Sequence, residues 1–326
     1  MEKSRADNSG QNGFQFQAAA AISLLLDYLY DFSKIKNEHE LEDIVIILSD
    51  GSFILSQSKS SHDNEKSSNA LKYIKQSLET LHKASINEPN HKLIYITNIR
   101  EMLGRSTVVD DFVCGETVWF SDFDKQNVEL IKKYAPANFD YNSFGIQFLK
   151  YHGDEDKEKW IIDKMKQTFS NSKNLKNLTY KKVYNTWVLY LLQNASKKDT
   201  HTYCDKETMI WGMVVHRIDE VDEEISNESD IDYSEISNMY DTLIKSLAGR
   251  FQTVSRIYGD YQNIKRKDSS IVSPSSFSTK YWESYADLVQ NEECESRIKK
   301  KIIQNLIETI IRRQDLLLGV REEFRL

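Results

Sequence analysis

Only three cysteines occur in the 326 residues, Cys114, Cys204 and Cys294, and no two of them form a Cys-x-x-Cys pair. That excludes a zinc ribbon and argues against a disulfide framework. His201 and Cys204 have the spacing of half a metal site, but no second pair accompanies them, so an ordinary loop beside a helix is the simpler reading. A long apolar run is missing as well. The longest, AAAAISLLL at 18–26, is too short to cross a bilayer, and the opening MEKSRADNSGQNG has no apolar core of a secretion signal. Nor is there an excess of positive charge. Lys and Arg number 43 against 50 Asp and Glu, a net charge of −7. A surface that is basic all over is excluded, while a local basic groove is not. The expectation is a reduced, cytoplasmic protein with no membrane segment.

What is present is enough for a core. Hydrophobic residues make up 40% and aromatics 11%, which excludes global disorder. Residues 1–12 are polar and expected to be mobile. From Gly13, FQFQAAAAISLLLDYLYDF reads as one buried helix, since its alanines and leucines favour helix and apolar residues fall almost all round it. Strand DIVIIL (43–48), a turn and strand FILSQSK (53–59) follow. LKYIKQSLETLHKA (71–84) has Leu71, Ile74, Leu78 and Leu81 at helical spacing. KLIYITN (92–98) is a buried-type strand. VWF (118–120) and FGIQFLKY (144–151) are further strand candidates. The order predicts an α/β domain with a mixed sheet over 13–152.

The remainder, 153–326, reads as an all-α domain for partner binding, oligomerisation or autoinhibition. Helices are predicted over 155–169, 179–195, 206–218, 236–258, 280–290 and 294–318, with Asp205 as the N-cap of the third. DEVDEEISNESDID (219–232) holds eight acids and no base and is most simply a solvated linker. The last helix carries Arg297, Lys299, Lys300, Lys301, Arg312 and Arg313. Such a run is a solvated face or a contact to nucleic acid or an acidic partner, with Lys299, Lys300 and Lys301 as the candidates.

The hairpin carries the chemistry. If its loop is Ser49-Asp50-Gly51, Leu48 pairs with Ser52 and Asp43 faces Gln57, because a three-residue loop takes glycine last. Gln57 and Lys59 then share a face with Asp43. A two-residue Asp50-Gly51 turn would shift the register and separate them. An Asp carboxylate and a Gln carbonyl are hard oxygen ligands for Mg²⁺ or Mn²⁺, and a nearby Lys offsets charge building on a phosphate. Such a group suits hydrolysis of a phosphodiester. An edge hairpin with a merely wet end remains the alternative.

Asp, a short hairpin, then Gln-x-Lys resembles the PD-(D/E)xK nuclease superfamily. The stretches GFQFQAAAAI (13–22), ELEDIVI (40–46), QSK (57–59), SSNALKYI and LIYITN together resemble the double-stranded-DNA nuclease domain of bacterial anti-phage effectors. These include SAVED-domain effectors and the nuclease subunit of Lamassu systems. The similarity covers about residues 10–150 and rests on the order and spacing of short motifs. It implies a restriction-endonuclease-like fold with Asp43 as metal-binding acid, Gln57 in the place of the second acid and Lys59 as catalytic lysine. Gln17 would face the site from the first helix, where relatives often carry Glu. Glu42 and Glu40 are nearby acids of lower rank, since strand alternation points Glu42 away from Asp43. Gln at 17 and 57 departs from the acidic pattern and leaves one certain carboxylate, so oxygens from a DNA phosphate would complete the site.

The resemblance also implies an Mg²⁺- or Mn²⁺-dependent endonuclease for double-stranded DNA that is held in check. The helical half lacks the strand-rich pattern of a SAVED domain. That favours activation by a defence-complex ATPase, SMC-like rather than HerA-like, with a further subunit and a homo-oligomer also expected. Rival readings are a catalytically silent nuclease-like scaffold, kept alive by the two Gln residues, and an RNA-directed nuclease, for which no RNA-reading motif is present.

Overall fold

The computed structural model describes residues 3–37, 42–61, 69–86, 88, 90–103, 112–151, 158–176, 178–195, 203–229, 231–246, 251–288 and 296–326. His201 and Glu40 lie outside them. The elements in chain order are α1 (Lys3–Asp27), β1 (Phe32–Asn37), β2 (Ile44–Leu48), β3 (Phe53–Lys59), α2 (Ala70–Ser85), β4 (His91–Thr97), β5 (Thr117–Trp119), α3 (Lys125–Tyr134) and β6 (Phe144–Phe148). Then come α4 (Lys159–Thr168), α5 (Tyr180–Ala195), β7 (Cys204–Asp205), α6 (Lys206–Ser229), α7 (Tyr233–Ser246), α8 (Phe251–Lys267), α9 (Pro274–Tyr281) and α10 (Ser296–Phe324). Two compact units result, Met1–Asn171 with Thr179–Gly212, and Ser172–Leu178 with Met213–Leu326.

The first unit holds a mixed sheet of seven strands in the order β5-β6-β4-β3-β2-β1-β7. β3, β4 and β6 run parallel, so Lys59, Thr97 and Phe148 stand side by side at their carboxyl ends. The other pairings are antiparallel. β3 and β4 are joined through α2, whose Ile74, Leu78 and Leu81 fall on one helical stripe. That stripe packs on Val45, Leu55, Leu93 and Tyr95 of the sheet. α1 contributes nothing to this cluster and packs instead on β1, β2 and β3, with Ala18–Ala21 fully buried.

Three expectations are corrected in this unit. The first residues are helical from Lys3 rather than a separate segment before Gly13, since extending a helix already nucleated at the buried Ala18–Leu26 costs little. β1 was not anticipated, because FSKIKN shows no clean alternation; its Lys36 and Asn37 are buried all the same. The sheet's unit also extends beyond residue 152. Lys164 of α4 reaches Asp27 of α1 at 2.5 Å, the Gly115 carbonyl at 2.7 Å and Ser23 of α1 at 3.1 Å. Gln147 of β6 donates to the other Asp27 oxygen at 3.0 Å and to the same Gly115 carbonyl at 2.9 Å. Burial lowers the Lys164 pKa and raises that of Asp27, and the pair offsets part of the desolvation cost. α4 and α5 are therefore integral to the first unit.

The second unit is helical, with Tyr261, Phe277, Ile303, Ile307 and Ile310 at its centre. Its acidic stretch is not a linker: α6 continues to Ser229. Asp222 is buried and takes Arg313 through two nitrogens, one of them Nε at 3.1 Å, while the Arg313 guanidinium lies 4.0 Å from the Tyr240 ring. Arg312 pairs with Glu228 at 3.1 Å, Glu224 at 3.7 Å and Glu308. Charges that look solvated along the chain neutralise one another across helices.

Candidate active site

The hairpin has the three-residue loop. Leu48 N–H donates to Ser52 O at 2.9 Å, Gly51 N–H donates to Leu48 O at 3.0 Å, and Gly51 has φ +84°. That is the left-handed region where glycine carries no Cβ penalty. Asp50 accepts from Ser52 N–H and Oγ at 2.9 and 2.6 Å, closing the loop. The ladder pairs Ile47 with Phe53 and Ile44 with Ser56. Carried one step further, it sets Asp43 opposite Gln57, the expected register.

At that step the ladder ends. Hydrogen-bonded pairs alternate in an antiparallel ladder, and from Leu48–Ser52 the fourth would be Glu42–Ser58. Ser58 N–H donates instead to Asp43 Oδ2 at 3.0 Å. Ser58 Oγ reaches the same oxygen at 3.4 Å and Lys59 Nζ at 3.5 Å. A carboxylate has replaced a backbone rung. Oδ2 gathers all three donors, and Oδ1 takes none among the described residues. The Asp43–Lys59 pair is partly exposed, with side-chain exposures of 19% and 31%.

Glu42 corrects the sequence reading. Alternation points its side chain away from the cluster, yet its Oε2 accepts a short hydrogen bond from Gln57 Nε2. The reason is local: β2 begins only at Ile44, so residues 42 and 43 no longer obey strand alternation. Glu42 is 2% exposed and Gln57 6%. Glu42 Oε1 is buried with no hydrogen-bond partner. Burial, with no cation in contact, pushes the Glu42 pKa up to about 8; the nearby Asp43 adds to the rise, and Gln57 and Lys59 oppose it. A short-range signal for this existed, in that Glu42 directly precedes the aspartate at a strand start.

Lys59 is held from the other side. Its carbonyl accepts Thr97 Oγ1 at 2.8 Å. Asn98, 2% exposed, faces the peptide of Ser61: Oδ1 accepts Ser61 N–H at 2.9 Å, and Nδ2 donates to Ser61 O at 3.0 Å and to Tyr151 O at 3.2 Å. Gln57 and Tyr95 are register partners on β3 and β4.

The structure thus brings together Asp43, Gln57, Lys59 and Glu42. Gln17, half-buried on α1, makes no hydrogen bond to any of the four. Lys299, Lys300 and Lys301 belong to the second unit, where Lys300 Nζ lies 5.4 Å from the Trp282 ring centre. Among the described residues no three His, Cys, Asp or Glu side chains gather as a metal centre. Among the described residues, the acids at the open end of the hairpin are two, Glu42 and Asp43.

No family model matches the chain, and no curated protein matches it. Two solved structures are similar. One is the Acinetobacter baumannii Cap4 SAVED/CARF-domain containing receptor with the cyclic trinucleotide 2'3'3'-cAAA, at 13% identity and a TM-score of 0.40, covering 64% of this chain and 45% of that one. The other is the Moraxella osloensis Cap4 SAVED/CARF-domain containing receptor, at 14% identity and a TM-score of 0.40, covering 64% of this chain and 48% of that one. The chain spans less than half the length of either.

Proposed function

We propose that this chain is a metal-dependent DNA endonuclease, the effector of an anti-phage defence complex that a partner, such as an SMC-like ATPase, releases or activates. The observation that carries the reading is the Glu42–Asp43–Gln57–Lys59 cluster at the open end of β2 and β3, in the residue order that the nuclease resemblance implies. A divalent cation fits these residues: Asp43 Oδ1 takes no donor, and Glu42 Oε1 is a buried acceptor with nothing to accept. Asp43 and Glu42 would hold Mg²⁺ or Mn²⁺, with the Gln57 carbonyl oxygen as a neutral third donor. When bound, the ion polarises a phosphate and makes a coordinated water a better nucleophile.

The protein's own groups do the rest. Ser58 N–H fixes the Asp43 carboxylate in place through Oδ2 and leaves Oδ1 without a donor among the described residues. Gln57 Nε2 orients Glu42. The Lys59 ammonium, 3.5 Å from Asp43, is placed to offset charge building on a phosphate that approaches the carboxylate. The scaffold reading draws on one feature, the neutral Gln57 in contact with Glu42 where the superfamily has an acid.

Plasmid DNA incubated with the full chain, with Mg²⁺, Mn²⁺ or EDTA, tests the proposal. Repeating the assay in cells that also express the defence partners covers the case of a restrained enzyme. Cleavage or toxicity that requires the metal and disappears in Lys59→Ala and Asp43→Ala supports it. Equal behaviour of wild type and variants in both settings leaves the scaffold.

A further inference from the structure

The carboxyl ends of β3, β4 and β6 each carry a cation. Lys59 ends β3, Arg100 lies three residues beyond the end of β4, and Lys150 lies two residues beyond the end of β6. The strands are neighbours, and Lys59, Thr97 and Phe148 are in register. Arg100 and Lys150 are exposed, and neither has an acidic partner among the described residues. Among the described acids, half-buried Glu101 and exposed Glu116 make no ion pair with either. Other cations are already engaged: Arg312 and Arg313 are consumed by acids, Lys164 by Asp27, and Lys300 lies against Trp282.

One side chain ties the three ends together. Asn98 stands two residues before Arg100. It pairs with the peptide of Ser61, two residues after Lys59, and donates to the carbonyl of Tyr151, the residue after Lys150. Thr97 adds a bond to the Lys59 carbonyl at 2.8 Å, and Thr97 O accepts from Leu149 N–H at 2.9 Å. The strand ends next to these cations are therefore tied to one another by part-buried and buried hydrogen bonds. Two inter-strand steps of about 4.8 Å span about 10 Å. That is the axial rise of about three nucleotides at about 3.4 Å each.

From this we infer that the carboxyl edge of β3, β4 and β6 is a backbone track for duplex DNA, in which Arg100 and Lys150 each neutralise a phosphate and lead the strand to Lys59. The inference rests on the nuclease reading for the identity of the polyanion. It adds the binding residues and moves them from the last helix, where sequence placed them, to the sheet edge. A chain with net charge −7 binds DNA only where cations are concentrated. Ligands of open α/β sheets also bind beyond the carboxyl ends of the parallel strands.

Fluorescence anisotropy of the full chain with a short labelled DNA duplex, in EDTA and over a series of salt concentrations, tests the track. Each lost phosphate contact lowers the log–log salt slope by about 0.9. Arg100→Ala and Lys150→Ala are each expected to weaken binding several-fold and lower the slope by about that amount, and the double variant by twice as much. Lys299→Ala/Lys300→Ala/Lys301→Ala is the comparison and should leave the slope in place. Circular-dichroism melts confirm that the variants fold. An unchanged slope in the double variant, a slope lost only in the triple variant, or no duplex binding at any salt overturns the track. Duplex RNA bound with the same slopes and in preference to DNA overturns the choice of polymer. The outcome separates from the nuclease reading: binding that follows the slopes without plasmid cleavage keeps the track and rejects the enzyme, and cleavage with unchanged slopes does the reverse.

Discussion

Glu42 and Gln57 meet across the mouth of the β2–β3 hairpin through a hydrogen bond from the amide to the carboxyl, and Glu42 has no other partner for its second oxygen. A buried acid served by a neutral amide alone is held at a cost. That cost gives the metal-free protein a measurable pH dependence. The folded pKa of Glu42 is raised to about 8 from an ordinary 4.5. Between those values the folded chain keeps a proton that the unfolded chain has released. Stability therefore falls as pH rises through this window, by up to about 1.4 kcal/mol per pH unit, and levels off above the folded pKa. Urea midpoints measured in EDTA from pH 5 to 9 should show this slope in wild type and lose it in Glu42→Gln. Parallel curves for the two proteins would mean that the Glu42 carboxyl is not buried as described.

Asp43 separates chemistry from folding. Asp43→Asn keeps an oxygen for Ser58 N–H but removes the charge. The ion pair with Lys59 is partly exposed, so its loss costs about 1 kcal/mol or less. Under the proposed nuclease function, metal-dependent cleavage should drop at least about 100-fold, the scale of a lost electrostatic group at a reacting centre. A thermal melt close to wild type beside an inactive enzyme is the expected pattern. Retained cleavage would remove Asp43 from the site.

Gln57→Glu supplies the acid that the proposed nuclease reading has at this position and sets a second carboxyl against Glu42. Without metal the two acids compete for one proton, and the melting temperature should fall. With Mn²⁺ the same pair becomes a stronger ligand set. The rise in melting temperature on adding Mn²⁺ should exceed that of wild type, because a ligand stabilises in proportion to its affinity for the folded state. An equal or smaller rise would show that residue 57 does not face the cation.

Much of the first unit was legible along the chain, and the failures have physical reasons. The register of the hairpin, Ile47 with Phe53 through Ile44 with Ser56, follows from a glycine placed where a three-residue loop needs φ > 0, and from alternation on both sides of it. Asp205 as an N-cap follows from residue type, and it accepts Thr208 N–H at 2.7 Å. The role of Glu42 was missed because alternation holds only inside a strand, and nothing in the pattern marks where the ladder gives way to a side chain. β1 was missed because its buried Lys36 and Asn37 read as surface residues. The attachment of α4 depends on one lysine 137 positions from its acid, a pairing that local patterns do not encode. The same holds for the acidic stretch of α6 and the arginines of α10.

That last pairing gives the sharpest stability test in the second unit. Arg312 and Arg313 are adjacent in sequence, but their surroundings differ. Arg313 is 4% exposed and Asp222 is fully buried, and Ser237 Oγ accepts a further hydrogen bond from Arg313 at 3.2 Å. Burial raises the Asp222 pKa, and the Arg313 guanidinium opposes that rise. Removing Arg313 leaves a buried carboxyl with no cation, which costs about 3–5 kcal/mol. Arg312 shares three acids at a partly exposed edge, so Arg312→Ala should cost about 1 kcal/mol or less. Urea unfolding followed by circular dichroism measures both. Asp222→Asn beside Arg313→Ala then asks whether the penalty comes from the stranded charge. If it does, Asp222→Asn/Arg313→Ala recovers part of the stability lost in Arg313→Ala alone. Equal costs for the two arginines would mean that the Asp222–Arg313 pair is solvated and that the acidic stretch is the linker its composition first indicates.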